Sequence, residues 1–370
     1  MKIAVIHDQL REFGGAERVL FSILELFPDA DIFTSTFDWE SLGQHKSHID
    51  PKKVKTTWFG KIPLVNKYYS PLRFLTPQIW ESLDLSAYDL VISSTGSWMC
   101  KGVKTKKPTV HISYIHHPPR YLYGYETAIE WQKYWVIKVY AYVVNHFLRK
   151  WDFEASQRPD YLIANSVETQ SRITKFYHRP SVVIYPPVTI PKEMNPNNAS
   201  QDYYITVSRL ARAKHVDVLI KAANKHSLPL KIVGVGRDET SLRAMAGKSV
   251  EFVGNVNDSE LANLYRHARA FVFASVDEEF GIAPVEAMGR GVPVIAFASG
   301  GMKETVKNGI NGYLYDELTP ESFFTALLKF NNLSDEKKQL MRKNSRIESE
   351  KYSERNFKKQ FMDFVRSHTK

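Results

Sequence analysis

Apolar residues fall along this chain in two alternating patterns. Short solid runs come first: Ile3–His7, Ile32–Thr36, Leu90–Ser93, Val110–Tyr114 and Tyr161–Ala164. A run apolar on both faces predicts a strand buried inside a parallel sheet. Between the runs, apolar residues recur every three or four positions. After the first run, Ala16, Val19, Leu20, Ile23, Leu24 and Phe27 share one face of a helix that Pro28 ends. Tyr185-Pro186-Pro187-Val188 and the Pro/Asn-rich stretch from Pro191 to Ser200 interrupt this alternation with almost nothing to bury. The alternation restarts with Tyr204–Val207, Leu230–Val233, Glu251–Val253, Ala270–Phe273 and Pro293–Ala296. The predicted class is α/β, with two tandem Rossmann-like doubly wound domains over 1–187 and 202–347 joined by a linker at 188–201. A long amphipathic helix, about Glu348–His368 within 348–370, is placed to pack back on the first domain. In such folds a ligand cleft is expected at the carboxyl ends of the strands, here between the two domains.

Composition narrows the class. The 370 residues suit two domains, and 43% apolar with 24% charged residues is the balance of a folded globular chain. One cysteine, Cys100, excludes an internal disulfide framework and a multi-cysteine metal site. The opening apolar run is too short for a signal peptide. The most apolar long segment, Tyr134–Leu148, is broken by Lys138, Asn145 and His146. The expected location is therefore cytoplasmic.

Lys and Arg outnumber Asp and Glu by 50 to 40, a formal charge of +10 that favours anionic partners. Nucleic acid is not expected: the basic residues follow no single helix, and no helix-turn-helix, zinc or RNA-recognition pattern is present. The segment Lys46–Arg73 holds seven basic residues and one acid, Asp50, interleaved with Trp58, Phe59, Tyr68, Tyr69 and nearby Phe74. Cations mixed with aromatics suit an anionic leaflet, so Lys52, Lys53, Lys55, Trp58, Phe59 and Lys61 are assigned to a membrane and acceptor side. The alternative is a solvated excursion whose aromatics fill the core. A second basic knot, Lys101, Lys104, Lys106 and Lys107, follows a strand.

Four segments carry candidate chemistry. In Ser275–Gly291, a strand delivers the chain to Glu278 and Glu279, Gly281 permits a tight turn, and Pro284 is expected as the first residue of a helix. The open N–H groups of that turn suit a phosphate. Glu278 and Glu286 would repel phosphate and suit sugar or ribose hydroxyls; the plainer alternative is that both are acids favoured by the helix dipole. Arg209 and Lys214 bracket a strand-to-helix turn, where a guanidinium fork and a point charge suit a diphosphate. Phe13-Gly14-Gly15-Ala16-Glu17-Arg18 follows the first strand and lets backbone approach a ligand. At Ser113–Tyr121 a strand ends in His116 and His117, the kind of position from which an imidazole binds a hydroxyl.

Together these segments resemble glycosyltransferase family 4, retaining enzymes of the GT-B fold in which two Rossmann-like domains close on a nucleotide-sugar. The resemblance implies that the paired glutamates are Glu278 and Glu286, the phosphate cations Arg209 and Lys214, the first-loop glycines Gly14 and Gly15, and the sugar-side histidine His116. On it the catalytic set is Glu278, His116, Arg209 and Lys214. Phe280, Gly281 and Ile282 join the donor site, with Val256 reading the base through backbone. HDQLREFGGAERVL, YDLVISSTGSW, YIHHPPRYLY, DYLIANS and SRLARAKHVDVLIKA resemble the bacterial O-antigen mannosyltransferase branch. That branch implies a GDP-mannose donor, and no other cofactor is expected; the cationic and aromatic Lys46–Arg73 segment leads us to expect a lipid-linked saccharide acceptor at the inner face of the cytoplasmic membrane. His116-His117-Pro118 departs from the branch's usual His-Thr-Pro, which leaves the acceptor open. A UDP-sugar donor and a non-catalytic nucleotide-sugar-binding relative are the alternatives. Asp29-Ala30-Asp31 matches the metal-diphosphate pattern of a different glycosyltransferase fold, but falls at the wrong edge of the predicted sheet. No metal is expected, and Pro28-Asp29 is good turn chemistry.

Overall fold

The computed structural model describes residues 1–127, 134–192 and 202–369, apart from the side chains of Gln44, Lys67 and Tyr68. The chain divides into two compact units. The first takes Met1–Tyr125, the described part of Glu130–Pro187, and Glu354–Lys370; the second takes Val188–Ser353 and the short piece beginning at Glu126.

The first unit is a parallel sheet of seven strands: β1 (Ile3–His7), β2 (Asp31–Thr34), β3 (Val54–Thr56), β4 (Leu90–Thr95), β5 (Val110–Ile115), β6 (Tyr161–Ala164) and β7 (Val182–Val183). Their spatial order is β3-β2-β1-β4-β5-β6-β7. β1 and β4 lie at the centre and are buried almost throughout, which is why β1 is nearly all apolar and β4 opens on Leu90-Val91-Ile92 before its buried hydroxyls Ser93, Ser94 and Thr95. The strands β3 and β7 were not expected. Val54-Lys55-Thr56 has one apolar residue and Val182-Val183 is only two residues long, too little for a periodic signal.

Helices cover both faces of this sheet. One core gathers Val19, Leu20 and Ile23 of helix Gly15–Leu26 with Phe357, Phe361 and Val365 from the C-terminal helix Glu354–His368. Phe361 is fully buried and stacks on Phe357, and both rings face Tyr114 of β5. The single long helix expected from Glu348 is in fact two. One helix ends at Ser349, a 3₁₀ turn spans Glu350–Tyr352, and a new helix starts at Glu354.

The second unit is a six-stranded parallel sheet: β8 (Tyr203–Val207), β9 (Leu230–Val233), β10 (Val250–Gly254), β11 (Ala268–Phe273), β12 (Val294–Phe297) and β13 (Gly312–Tyr315), ordered β10-β9-β8-β11-β12-β13. β13 escaped the sequence reading because it is short and starts on glycine. The linker expected at 188–201 begins later than its proline content indicates. Val188 is buried and its amide donates to the Tyr352 carbonyl at 2.9 Å. Residues 193–201 of that linker lie outside the described residues.

One buried titratable group gives the fold a pH signature. His111 of β5 is fully buried, with Nε2 at 2.9 Å from Ser93 Oγ and Nδ1 unpartnered among the described residues. Burial first, then the charges of Arg179 and Arg158, push its pKa down to about 3. The unfolded chain therefore takes up a proton at this imidazole near pH 6.5, while the folded one does not. Stability contributed here is present above pH 6.5 and falls as the pH drops towards 3, by up to about 1.4 kcal/mol per pH unit. Urea unfolding at pH 7 and pH 5 should show a steeper loss in the native protein than in His111→Gln. Equal losses would mean that the folded imidazole protonates normally.

Candidate functional site

The order of the second sheet fixes where its loops gather. From β8 the chain moves outward through β9 and β10, then returns to β11 on β8's other side. The loops leaving β8 and β11 diverge, and their separation at the carboxyl edge makes this the switch point where open α/β sheets bind ligands.

The loop after β8 carries Arg209 and Lys214. It is laid down by backbone bonds: Ser208 N to Val233 O at 3.1 Å and Leu210 N to Val235 O at 3.0 Å. Gly234 and Gly236 make that possible. A Cβ on either would sit 2.1 Å from a carbonyl oxygen, that of Ser208 or of Leu210, and Gly234 has φ +120°. These two glycines were missed in the sequence, although the spaced pair directly after β9 is a visible mark of close backbone approach. Arg209 is exposed, and Lys214 is half-buried at the end of the 3₁₀ turn Arg212–Lys214.

The loop after β11 meets it. Lys214 Nζ forms an ion pair with Glu278 Oε2, and Ser275 Oγ donates to the same oxygen at 2.8 Å. Val276 N donates to Ala213 O at 3.0 Å and Asp277 N to Ser299 Oγ at 2.9 Å. From β12, Gly300 and Gly301 slide under the Glu278 turn, and Gly301 N reaches Glu278 O at 2.8 Å. Gly300 has φ +55°, and a Cβ there would lie 2.0 Å from the Glu278 carbonyl. Gly281, at φ +85°, opens helix Ile282–Gly289. Pro284 is the third residue of this helix rather than the first; it still forfeits no bond, because the first four N–H groups of a helix have no intrahelical acceptor. Ile282 is half-buried at the helix start, and Glu286 is buried in the second turn.

Two of the assigned donor-site residues are placed differently. Phe280 is buried with its ring edge-on to Tyr352 at 5.1 Å, so the ring belongs to the core and only its backbone is left to face a ligand. Val256 follows Gly254 on the outer strand β10, with β9 between it and the Lys214 loop.

The first unit has its own switch point, between β1 and β4. His7 and Ser94 are register partners there, and a buried chain of polar groups starts from them. His7 Nδ1 lies 3.0 Å from Ser94 Oγ, Ser94 Oγ lies 2.8 Å from His116 Nε2, and His7 Nε2 lies 3.4 Å from Glu17 Oε1. The hydroxyl carries one proton, so the tautomers of the two imidazoles are linked through Ser94. Glu17 stands in the first turn of the helix that Gly14 caps and Gly15 begins. The structure thus ties the Gly-Gly and His-His segments to each other. Asp8, next to His7, accepts from the amides of Gly96, Trp98 and Cys100, each at 2.8 Å, and fixes the loop beyond Ser94. Only His116 of this chain was expected, since His7, Glu17 and Ser94 are ordinary strand and helix residues in sequence.

The basic cluster is weaker than its composition. Phe59, assigned to the membrane side, is fully buried against Trp98 at 5.6 Å between ring centres. Lys55 pairs with Asp31 at 3.0 Å, Lys53 Nζ donates to the Pro28 carbonyl at 2.6 Å, and Lys46 pairs with Glu40. Lys52, Lys61 and Trp58 remain exposed; the side chains of Lys67 and Tyr68 lie outside the described residues. Of the second knot, Lys101 is buried in an ion pair with Asp152, and Lys104 pairs with Glu81 at 2.7 Å. Asp31 opens β2 at the edge opposite the strand carboxyl ends. A hydrogen bond from Tyr88 Oη holds its carboxyl below the usual range, with Lys55 helping against some burial. Among the described residues no cluster of three or more His, Cys, Asp or Glu could hold a metal ion.

Two parallel-sheet Rossmann-like units define the GT-B fold, and solved structures agree. Anabaena HepE in complex with UDP superposes with a TM-score of 0.70, at 18% identity over 99% of this chain and 100% of that one. Residues 190–348, within the second unit, match the family model described as "Glycosyl transferases group 1". Curated relatives include the Streptococcus pneumoniae GtfA subunit of a UDP-N-acetylglucosamine–peptide N-acetylglucosaminyltransferase, 27% identical over 63% of this chain and 47% of the relative. A GDP-mannose-dependent alpha-mannosyltransferase of Mycolicibacterium smegmatis is 38% identical over 30% of this chain and 29% of that protein. The chain spans about half the length of the first curated relatives it matches.

Gly300→Ala tests the packing under Glu278. The strained φ and the clash with a backbone carbonyl should cost about 1–3 kcal/mol and displace the turn. Thermal unfolding should fall by several degrees. An unchanged melting temperature would mean the turn is not held from below.

Proposed function

We propose that the chain is a retaining glycosyltransferase that moves a hexosyl group from a nucleotide-sugar to a lipid-linked saccharide, without a divalent metal. The observation that carries this reading is the Lys214–Glu278 pair at the switch point of the second sheet, beside the opening turn of helix Ile282–Gly289. A cation and a helix N-terminus suit a diphosphate, and a neighbouring carboxylate suits the hydroxyls of the attached sugar. On this reading Lys214 exchanges Glu278 for the diphosphate when the donor binds, which releases the carboxylate to the sugar.

In the reaction, the bond between the sugar's anomeric carbon and the β-phosphate oxygen stretches to an oxocarbenium-like state. Arg209 and Lys214 offset the charge that develops on the departing phosphate. The acceptor hydroxyl attacks from the same face, its proton passes to the leaving β-phosphate, and the anomeric configuration is kept. Glu278 orients the sugar, Glu286 holds the ribose, and His116 contacts the sugar, its ring held by Ser94.

GDP-mannose is the favoured donor. It is supported by the resemblance to O-antigen mannosyltransferases and by the M. smegmatis relative. A UDP-sugar donor is the second reading, supported by the longer S. pneumoniae match. No described helix is long and apolar enough to cross a membrane, so a lipid-linked acceptor calls for peripheral binding at the inner face of the cytoplasmic membrane. Thermal shift and donor hydrolysis with GDP-mannose, UDP-glucose, UDP-galactose and UDP-N-acetylglucosamine separate the donor readings. Binding of a donor without any turnover would leave a non-catalytic binding relative.

Replacing Arg209 or Lys214 with Ala should lower turnover about 100-fold or more, since either change leaves developing charge unmatched. A chelator should not change the rate; loss restored by manganese would overturn the metal-free mechanism.

Glu278→Ala and Glu286→Ala should part company. The first should cut turnover while GDP binds as well or better, because Lys214 loses its competing carboxylate. The second should mainly weaken GDP. Equal GDP affinity in both variants, read by calorimetry, would refute the division of roles.

A further inference from the structure

Helix Trp135–Ser156 in the first unit carries an apolar face that no described residue covers. Its inner side is set by Ala141, Leu148, Trp151, Asp152 and Ala155, which are buried. Its outer side should then be polar. Instead Trp135 is 75% exposed, Tyr142 79% and Phe147 66%, with Val136, Val139 and Val143 also exposed between them. These residues fall at the three- and four-residue spacing of one helical face. From Trp135 to Phe153 the stripe is about 27 Å long at 1.5 Å per residue.

The charges on the helix identify what covers it. On the helix the exposed charged residues are Lys138, Arg149 and Lys150 and, at its end, Glu154; Asp152 is buried. Apolar and aromatic residues on one face with cations beside them form the pattern of a helix lying in the plane of an anionic bilayer interface. A second copy of this chain fits poorly. A two-fold contact through this face would set the cations of both copies together, with Glu154 the one exposed acid of the helix to offset them. The helix cannot serve as a span either, since the same cations and then Asp152 and Glu154 interrupt it.

The apolar surface also continues past the helix. Tyr140 Oη donates to the Pro71 carbonyl, and Phe74, three residues on, is 46% exposed. The end of the Lys46–Arg73 segment thus meets the helix, whereas three of that segment's own cations, Lys46, Lys53 and Lys55, are already bonded to a carboxylate or carbonyl and Phe59 is buried.

We propose that the outward face of helix Trp135–Ser156 is the membrane-docking surface of this protein and takes an anionic lipid leaflet, with Trp135, Tyr142 and Phe147 entering the headgroup region and Lys138 and Lys150 meeting the lipid phosphates, while Arg149 stays bonded to the Leu122 carbonyl. The inference rests on the lipid-linked acceptor of the proposed function for its purpose. It replaces the Lys46–Arg73 cluster as the main anchor.

The test is sedimentation of the full chain with vesicles of phosphatidylglycerol and phosphatidylethanolamine, or of phosphatidylcholine alone, at low and high salt. Three proteins are compared: the native chain, Trp135→Ser/Tyr142→Ser/Phe147→Ser, and Lys52→Glu/Lys61→Glu. The replaced residues are exposed, so unchanged melting temperatures confirm that the variants fold. The native chain should sediment with the anionic vesicles and lose part of that binding at high salt. The triple variant should bind about tenfold less or weaker still, and the lysine variant should stay within about twofold of native, given how anchoring divides between apolar insertion and charge.

If the lysine variant loses binding and the triple variant keeps it, the helix proposal falls while membrane association stands. If the native chain binds no vesicle, both docking and peripheral association fall, and the donor chemistry is untouched. Native dimers that dissociate in the triple variant would overturn the lipid assignment in favour of self-association.

Discussion

Adjacency of β8 and β11, two strands distant in sequence and paired side by side, is the constraint on which the candidate site depends. It brings the loop that holds Lys214 against the loop that holds Glu278, and the ion pair closes between them. Each side chain is about one-fifth exposed, so the pair's net stabilisation is well below the attraction of a dry pair and nearer the ~1 kcal/mol of surface bridges. Its significance is positional. A cation and a carboxylate are held by backbone bonds that do not depend on the pair: Val276 to Ala213 beneath it, and Gly301 to the Glu278 carbonyl beside it. Breaking the pair to admit an anion therefore need not loosen the loops.

The first unit uses the same topology for a different purpose. Its central strands β1 and β4 bring His7 and Ser94 side by side near their carboxyl ends, and the result is a hydrogen-bonded relay from Glu17 through His7 and Ser94 to His116. Ser94 bonds two imidazoles and is itself fully buried, so a shift of the proton on one ring has to be answered on the other. Asp8 anchors the neighbouring loop through three amides, which leaves little freedom for His7 to move away. His116 is thereby presented by the strand end with its Nε2 already committed.

Much of this was legible in sequence, and the exceptions share a cause. Buried parallel strands are apolar on both faces, so β1, β4, β5, β6, β8 and β9 stand out as runs. Edge strands bury one face, and β3 and β7 lacked the length to show alternation. Local motifs were equally visible: the Arg209–Lys214 turn and the Glu278–Glu286 segment each lie within one loop and one helix. What could not be read was any partnership between distant segments. Lys214 with Glu278, His7 with Ser94 and Lys55 with Asp31 are set by sheet order, which periodicity does not encode. Phe59 illustrates the opposite error. A run of lysines made its neighbourhood look solvated, yet an aromatic beside a cation is as often a core residue whose neighbours reach outward past it.

The same principle reverses the weight given to Lys46–Arg73 and to Tyr134–Leu148. Counting charges favoured the first, but a lysine already bonded to a carboxylate or carbonyl offers less to a lipid phosphate, and three in that segment are so engaged. The second was set aside for failing to span a bilayer, a criterion that says nothing about lying on one. An interfacial helix needs a wide apolar face, cations at its flank and an inner side that grips the protein, and Trp135–Ser156 meets all three. Its grip is firm at the far end, where Trp151 Nε1 donates to Glu81 at 2.7 Å and Asp152 pairs with buried Lys101. The buried pair cannot be broken without stranding a charge in the core, so the helix is tied to the sheet at one end while its apolar turns stand outward at the other.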